Sequence, residues 1–259
     1  MKCKILSCTF FLVIMASLIS SCSKSEEGTE IPVMEEQIDE EPISEEPVDE
    51  SGELTLFQRN TISYFIDIAL GFEVGNASKI TRKWVSEMKI YVRGNTTDEL
   101  QSELDDIVQE INSLITDEIK LEIVDTKEAS NYEIFFGSYV EYGELYPNLA
   151  ERAERSWGIF TLDINDDDQI VGGLMYVDTE RANEAEEKHL LREELTQSLG
   201  LAQDSSQYED SIFQIEWTTV TEYSELDREL IRLLYHPDMQ IGLDKWQVDD
   251  VLKEILLKE

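Results

Sequence analysis

Between Leu56 and Leu257 the spacing of apolar positions switches several times between a helical and a strand period, and each switch marks an element. Leu56, Ile62, Phe65, Ile66 and Ala69 recur at helical spacing, with Gly71 and Gly75 as the expected stops. Residues 88–92 read as a strand closed by Arg93-Gly94-Asn95. Thr96-x-x-Glu99 has the form of a capping box, and it opens a long helix with Leu100, Leu104, Ile107, Val108, Ile111, Leu114 and Ile115 on one stripe. Strands are expected at 120–124 and 132–136, and 157–164 with 170–177 form a hairpin around Asn165-Asp166-Asp167-Asp168. A second long helix is expected from about 180 to 199, stopping at Gly200, and terminal helices near 224–235 and 244–257. No segment repeats. This order predicts one α+β domain over 55–259, with long helices packed on a mixed β-sheet.

The first 54 residues follow other rules. Lys2 and Lys4 precede an apolar stretch from Ile5 to Ile19, broken by Ser7, Thr9 and Ser17. That stretch is shorter than the roughly 20 residues needed to span a hydrocarbon core, so it reads as an export signal over 1–21. Ile19-Ser20-Ser21-Cys22 resembles the lipobox of bacterial lipoproteins. The resemblance implies cleavage before Cys22 and acylation (palmitate or a similar chain) of its sulfur, and two or three acyl chains anchor stably. Residues 23–54 hold thirteen acidic side chains, Pro32, Pro42 and Pro47, and Lys24 as the one base. Such a segment repels itself and has too little apolar surface to fold, so 22–54 is expected to be a lipidated cysteine on an acidic, disordered tether. Glu26-Glu27 resembles an acidic tag that exports lipoproteins to the outer face of the outer membrane. The expected location is therefore the bacterial cell envelope, lipid-anchored, at the outer membrane and exposed at the surface.

Charge and cysteine content exclude several classes. The formal net charge is −36, and about −26 of it lies beyond the tether, so phosphate-rich nucleic acid is repelled. Cys3 and Cys8 leave with the signal, so the mature chain has no disulfide and no cysteine-based zinc or redox site. Stability must come from an apolar core. His189 lies one helical turn from both Glu186 and Glu193, a trio able to meet a metal opportunistically, although such a His is more often a surface residue. His236, before Pro237, reads as capping or loop chemistry, and the acidic turn 166–168 as an incomplete Ca²⁺ loop. Trp157 and Tyr176 read as core.

The informative stretch runs from Glu193-Glu194-Leu195-Thr196-Gln197 through Gly200 to Gln203 and on to Ser211-Ile212-Phe213. Its pattern E-E-x-x-Q-x-x-G-x-x-Q resembles the zinc helix of metzincin and matrixin-like metalloproteases, H-E-x-x-H-x-x-G-x-x-H followed by a Met-turn. It is most similar to the bacterial family DUF2927, with an E-E-L-T-Q-x-L-G-L run and a later S-I-F. The resemblance implies a zincin-like fold in which Glu193, Gln197 and Gln203 hold the three ligand positions, Glu194 the general-base position and Phe213 the place of the turn methionine. Catalytic zinc needs three good donors and an open fourth position. Two neutral amides beside one carboxylate form a poor zinc site, so no zinc or other cofactor is expected. Periodicity alone also allows an ordinary amphipathic helix, with Leu191, Leu195 and Leu199 inward and Glu186, Glu193, Glu194 and Gln197 solvated.

Three functions remain open on these residues. In the first, a degenerate, metallopeptidase-like pseudoenzyme binds a peptide or protein in the inherited cleft while its lipid anchor holds the membrane. The second is an active hydrolase with Glu194 as general base and no metal or an unusual one, and the third a structural envelope module. Cys22→Ser is expected to move the protein from the membrane fraction to the soluble fraction, and unchanged fractionation would refute the anchor.

Overall fold

Side chains on the central strands alternate between two apolar clusters, and that alternation fixes the layers of the molecule, a computed structural model that describes residues 53–72 and 77–259. The signal segment, Cys22, the tether up to Gly52, and Gly75 lie outside the described residues. The strands are β1 (Met88–Gly94), β2 (Leu121–Val124), β3 (Tyr132–Gly137), β4 (Gly158–Ile164) and β5 (Ile170–Asp178). They form one sheet in the order β2-β1-β3-β5-β4. β1, β2, β3 and β5 run parallel, and β4 returns antiparallel to β5 as one edge. The α+β expectation with a mixed sheet is met.

One sheet face carries Ile90, Ile134, Phe136, Met175 and Val177 into the main core. Against it pack α1 (Leu56–Ala69), α2 (Asp98–Leu114) and the later helices α5 (Glu184–Gln197), α6 (Glu225–Leu234) and α7 (Lys245–Leu256). The opposite face carries Phe135, Ile159 and Tyr176 against Tyr142 and Ala153 of two short helices, α3 (Tyr139–Leu145) and α4 (Ala150–Arg155). Every residue of β3 is buried, as a strand covered on both faces must be. Tyr176 is core as expected, whereas Trp157 is only partly buried. Among the described residues no helix is long and apolar enough to cross a membrane.

Two helix starts differ from the sequence expectation, each for a local reason, and two short helices are additional. The cap of α2 is Thr97, one residue later than expected, because its side chain accepts from Leu100 N–H. Helix α3, capped by Ser138 and Glu141, and helix α4 were not expected at all. The second long helix begins at Glu184 rather than near 180, because Asp178 Oδ1 accepts from the N–H groups of Glu180 and Arg181 and holds them in a turn. Asn183 then caps the helix in a box with Glu186.

The far end of α5 is fixed by two hydrogen bonds and a glycine. The Trp84 indole donates to the Ser198 carbonyl at 2.9 Å, and the Tyr235 hydroxyl donates to that of Leu199 at 2.8 Å. These side chains satisfy carbonyls that a helix end would otherwise leave unpaired. Gly200 follows with φ +115°, and a Cβ there would stand 2.1 Å from the Arg82 carbonyl oxygen. Gly200→Ala thus meets both an unfavourable backbone conformation and an immovable backbone atom. It is expected to destabilise the fold by at least about 2 kcal/mol, read as a lowered urea midpoint.

Candidate functional site

From His189 to Gln197 helix α5 is largely buried: His189, Arg192, Glu194, Thr196 and Gln197 are all buried beside its leucines. This corrects the solvated polar face that periodicity allowed, and it obliges each polar group to find a partner inside the protein. Arg192 meets Glu103 at 3.1 Å and Glu110 at 2.7 Å on α2, and its guanidinium lies 4.6 Å from the Tyr223 ring centre. Thr196 shares a 2.6 Å hydrogen bond with the Tyr223 hydroxyl.

His189 is buried too, not a surface residue. Its Nδ1 lies 2.7 Å from the Val220 carbonyl and its Nε2 3.3 Å from Glu193 Oε2. Both neighbours are acceptors, so both ring nitrogens are best satisfied when protonated. Burial opposes the imidazolium, but the Glu193 carboxylate and the Val220 carbonyl outweigh it and raise His189 above its ordinary value.

The remaining face of α5 forms one wall of a cleft. Glu193, Glu194 and Gln197 line a hollow of about 470 Å³ together with Asp204, with Arg152 and Arg155 of α4 and with the start of β4. A Cβ on Gly158 would stand 2.5 Å from Glu194 Oε1, so the Glu194 carboxyl lies across β4 only because glycine is there. A second hollow of about 550 Å³ shares Gly158, Glu193 and Glu194 and continues to Glu186, Trp157 and Trp217.

β4, the last strand of the sheet, borders this cleft with an edge that no other strand pairs among the described residues. Asp178 N–H donates to the Trp157 carbonyl at 2.8 Å, which sets the antiparallel alternation. It turns the N–H and C=O groups of Gly158, Phe160 and Leu162 outward. The Phe160 carbonyl accepts from Arg152 Nη1 at 3.3 Å.

The expected ligand positions converge only in part. Glu193 and Gln197 stand one turn apart on the cleft, and Gln197 Nε2 donates to Asp204 Oδ1 at 2.5 Å. Gln203 does not join them: it lies beside Gly71, with Nε2 3.4 Å from the Leu70 carbonyl, and lines a different hollow. The carboxylate of the next residue occupies the place expected of Gln203. Phe213 is fully buried in the Ser211–Phe213 turn. Ser211 Oγ and Ile212 N–H both donate to Asp227, and the Phe213 carbonyl accepts from Ser205 N–H, which pins the loop carrying Asp204. Burial pushes the Asp227 carboxyl up, against the hydrogen bonds from Ser211, Ile212 and Ser224 that favour its charge.

Zinc does not fit these donors. Gln197 is bonded to Asp204, Glu193 faces His189 and Gln203 points elsewhere, and among the described residues no three His, Cys, Asp or Glu side chains converge to hold a metal. His236 accepts from Asp238 N–H in its own turn, and Asp168 pairs with Arg82 at 2.8 Å.

The fold and cleft define an α+β domain in which one buried helix and one open strand edge enclose a carboxylate-lined groove. The chain belongs to the DUF2927 family, described as a protein of unknown function, which matches residues 58–254. No curated protein matches it. The solved structure of myroilysin is similar at 11% identity and a TM-score of 0.39, over 59% of this chain and 95% of that one.

His189 also predicts a pH dependence. Because its folded value is raised, the stability it adds is complete below the unfolded value of about 6.5 and is lost as pH rises through the folded value. Urea titrations at successive pH values should show the advantage of the native protein over His189→Gln shrinking as pH rises past the unfolded value and through the raised folded one. A difference independent of pH would refute the assignment.

Proposed function

We propose that this chain is a zincin-derived, lipid-anchored envelope protein that binds an extended peptide in the α5/β4 cleft and does not hydrolyse it through zinc. One observation carries the reading: the outward edge of β4 runs beside the groove that Glu193, Glu194, Gln197 and Asp204 line. A peptide lying antiparallel to β4 would complete the outward hydrogen bonds of Gly158, the affinity coming from backbone pairing and the selectivity from hollows on either side.

Loss of zinc chemistry follows from the donor set. The general-base position survives as Glu194, but the positions that would supply the metal carry a glutamate engaged by His189 and an amide engaged by Asp204. A carboxylate alone supplies neither the electrophile nor the lowered water pKa that metal hydrolysis uses. The lipobox-like residues at Cys22 and the acidic tether support placement at the envelope surface, with the cleft facing other envelope or external proteins.

Selection from a random octapeptide display library on the purified protein tests this. Selected peptides should bind at micromolar Kd with and without EDTA and stay intact by mass spectrometry. Gly158→Ala, which displaces the Glu194 carboxyl, and backbone N-methylation at alternate peptide positions should each weaken binding about tenfold or more. Failure to select any peptide would refute the binding reading, and EDTA-sensitive cleavage would refute the zinc-free one.

A further inference from the structure

Strand pairing on β4 leaves the second hollow unexplained. Its walls combine two indoles with three carboxylates, a pairing that neither a hydrophobic core nor a solvated surface calls for. Trp217 is 56% exposed, although a tryptophan usually hides most of its area. It meets Trp157 edge to face at 5.5 Å and 81°, and the buried His189 ring supports it from α5 at 6.0 Å. Two contacts thus hold an exposed ring in one orientation beside the hollow, where it turns an aromatic surface to an incoming group.

The carboxylates come from the same helix. Glu186, Glu193 and Glu194 all line the hollow with Trp157 and Trp217. Glu186 is held through Oε2 by the Asn183 N–H, and Glu193 through Oε2 by His189, so both are oriented rather than loose. The cation at the rim, Arg155, is paired with Glu151 on its own helix. The Arg181 guanidinium, bonded to Asp178, lies 6.0 Å from the Trp157 ring centre, so one indole of the pair already has a cation beside it while Trp217 has none stacked against it among the described residues.

An aromatic surface beside fixed carboxylates is suited to one chemistry, an organic cation on an apolar stem. We propose that this hollow receives the guanidinium of an arginine side chain, stacked against Trp217 and paired with Glu186 and Glu193. Arginine is favoured over lysine because its planar, weakly hydrated fork can stack and donate to carboxylates at once. Its assignment to a residue of the bound peptide rests on the reading of the cleft given above. The two hollows share Gly158, so a strand paired there places a neighbouring side chain at the entrance.

Two titrations of the whole protein test the proposal, and they separate its failure from that of the cleft reading. In the first, N-acetyl-arginine methylamide and N-acetyl-norleucine methylamide are titrated while the tryptophan indole resonances are followed by NMR. The arginine compound should shift the Trp217 signal with an affinity about tenfold or more above that of the norleucine compound, and added salt should weaken it. Glu186→Gln keeps an acceptor for the Asn183 cap and should weaken arginine binding severalfold while leaving norleucine unchanged; Trp217→Ala should abolish the preference. Equal affinities, or a preference that survives both substitutions, would overturn the hollow as a cation site. In the second titration, selected peptides carrying arginine, norleucine or glutamate at one position are compared. Peptides that bind regardless of that residue would leave the cleft reading standing and overturn this one. Arginine-amide binding with no peptide binding would retain the cation site and overturn its assignment to a peptide residue.

Discussion

A helical stretch enclosed on most sides leaves its polar groups little water, and α5 from His189 to Gln197 is such a stretch with a largely polar sequence. Its side chains therefore recruit partners from α2 and from the segment between α5 and α6, and those recruitments organise the domain. Arg192 draws in α2 through Glu103 and Glu110, and Thr196 fixes Tyr223 ahead of α6. His189 holds the Val220 carbonyl, and Gln197 holds Asp204 in the loop that follows. Removing one partner from such a set leaves a buried group unpaired, which costs more than the bond itself contributed. The packing of α5 and the shape of the cleft are one problem with one solution.

The two hollows owe their different character to what lies opposite the helix. Toward Asp204, the carboxylates face Arg152 of α4 and an outward strand edge, so the groove is polar and suited to backbone pairing. Toward Trp217, the same carboxylates meet indoles and the aliphatic Leu190, so charge stands beside apolar surface. Glycine at position 158 separates the two, and its missing side chain lets Glu194 serve both.

Much of this was legible in the residues. The strands of the sheet, α2 and the terminal helices announced themselves because each buries one regular stripe or a continuous apolar run. Helices α3 and α4 did not, being seven and six residues long, with Gly143 inside α3 and Pro147 between the two, too short for a period to accumulate. Gln197 and Glu193 were found by spacing, since one helical turn is a fixed length. Asp204 was missed because beyond Gly200 the chain leaves the helix and spacing no longer predicts direction; its hydrogen bond to Gln197 depends on the Ser211–Phe213 turn, which is remote in sequence. The burial of His189 was equally hidden, since the segment that covers it, around Trp217 and Val220, has no periodicity.

The margins of the sheet are unlike one another, and this has a colloidal consequence. β2 is four residues long with an exposed Glu122, too short and too charged to template another chain. β4 is longer and open, but the Arg152 guanidinium sits on the Phe160 carbonyl and blocks the middle of its edge. A second copy of this strongly anionic protein approaching edge to edge would have to displace that guanidinium while overcoming like-charge repulsion. At high concentration, neighbouring molecules should stay dispersed and resist fibril growth, although each retains a strand edge along which a fibril could begin.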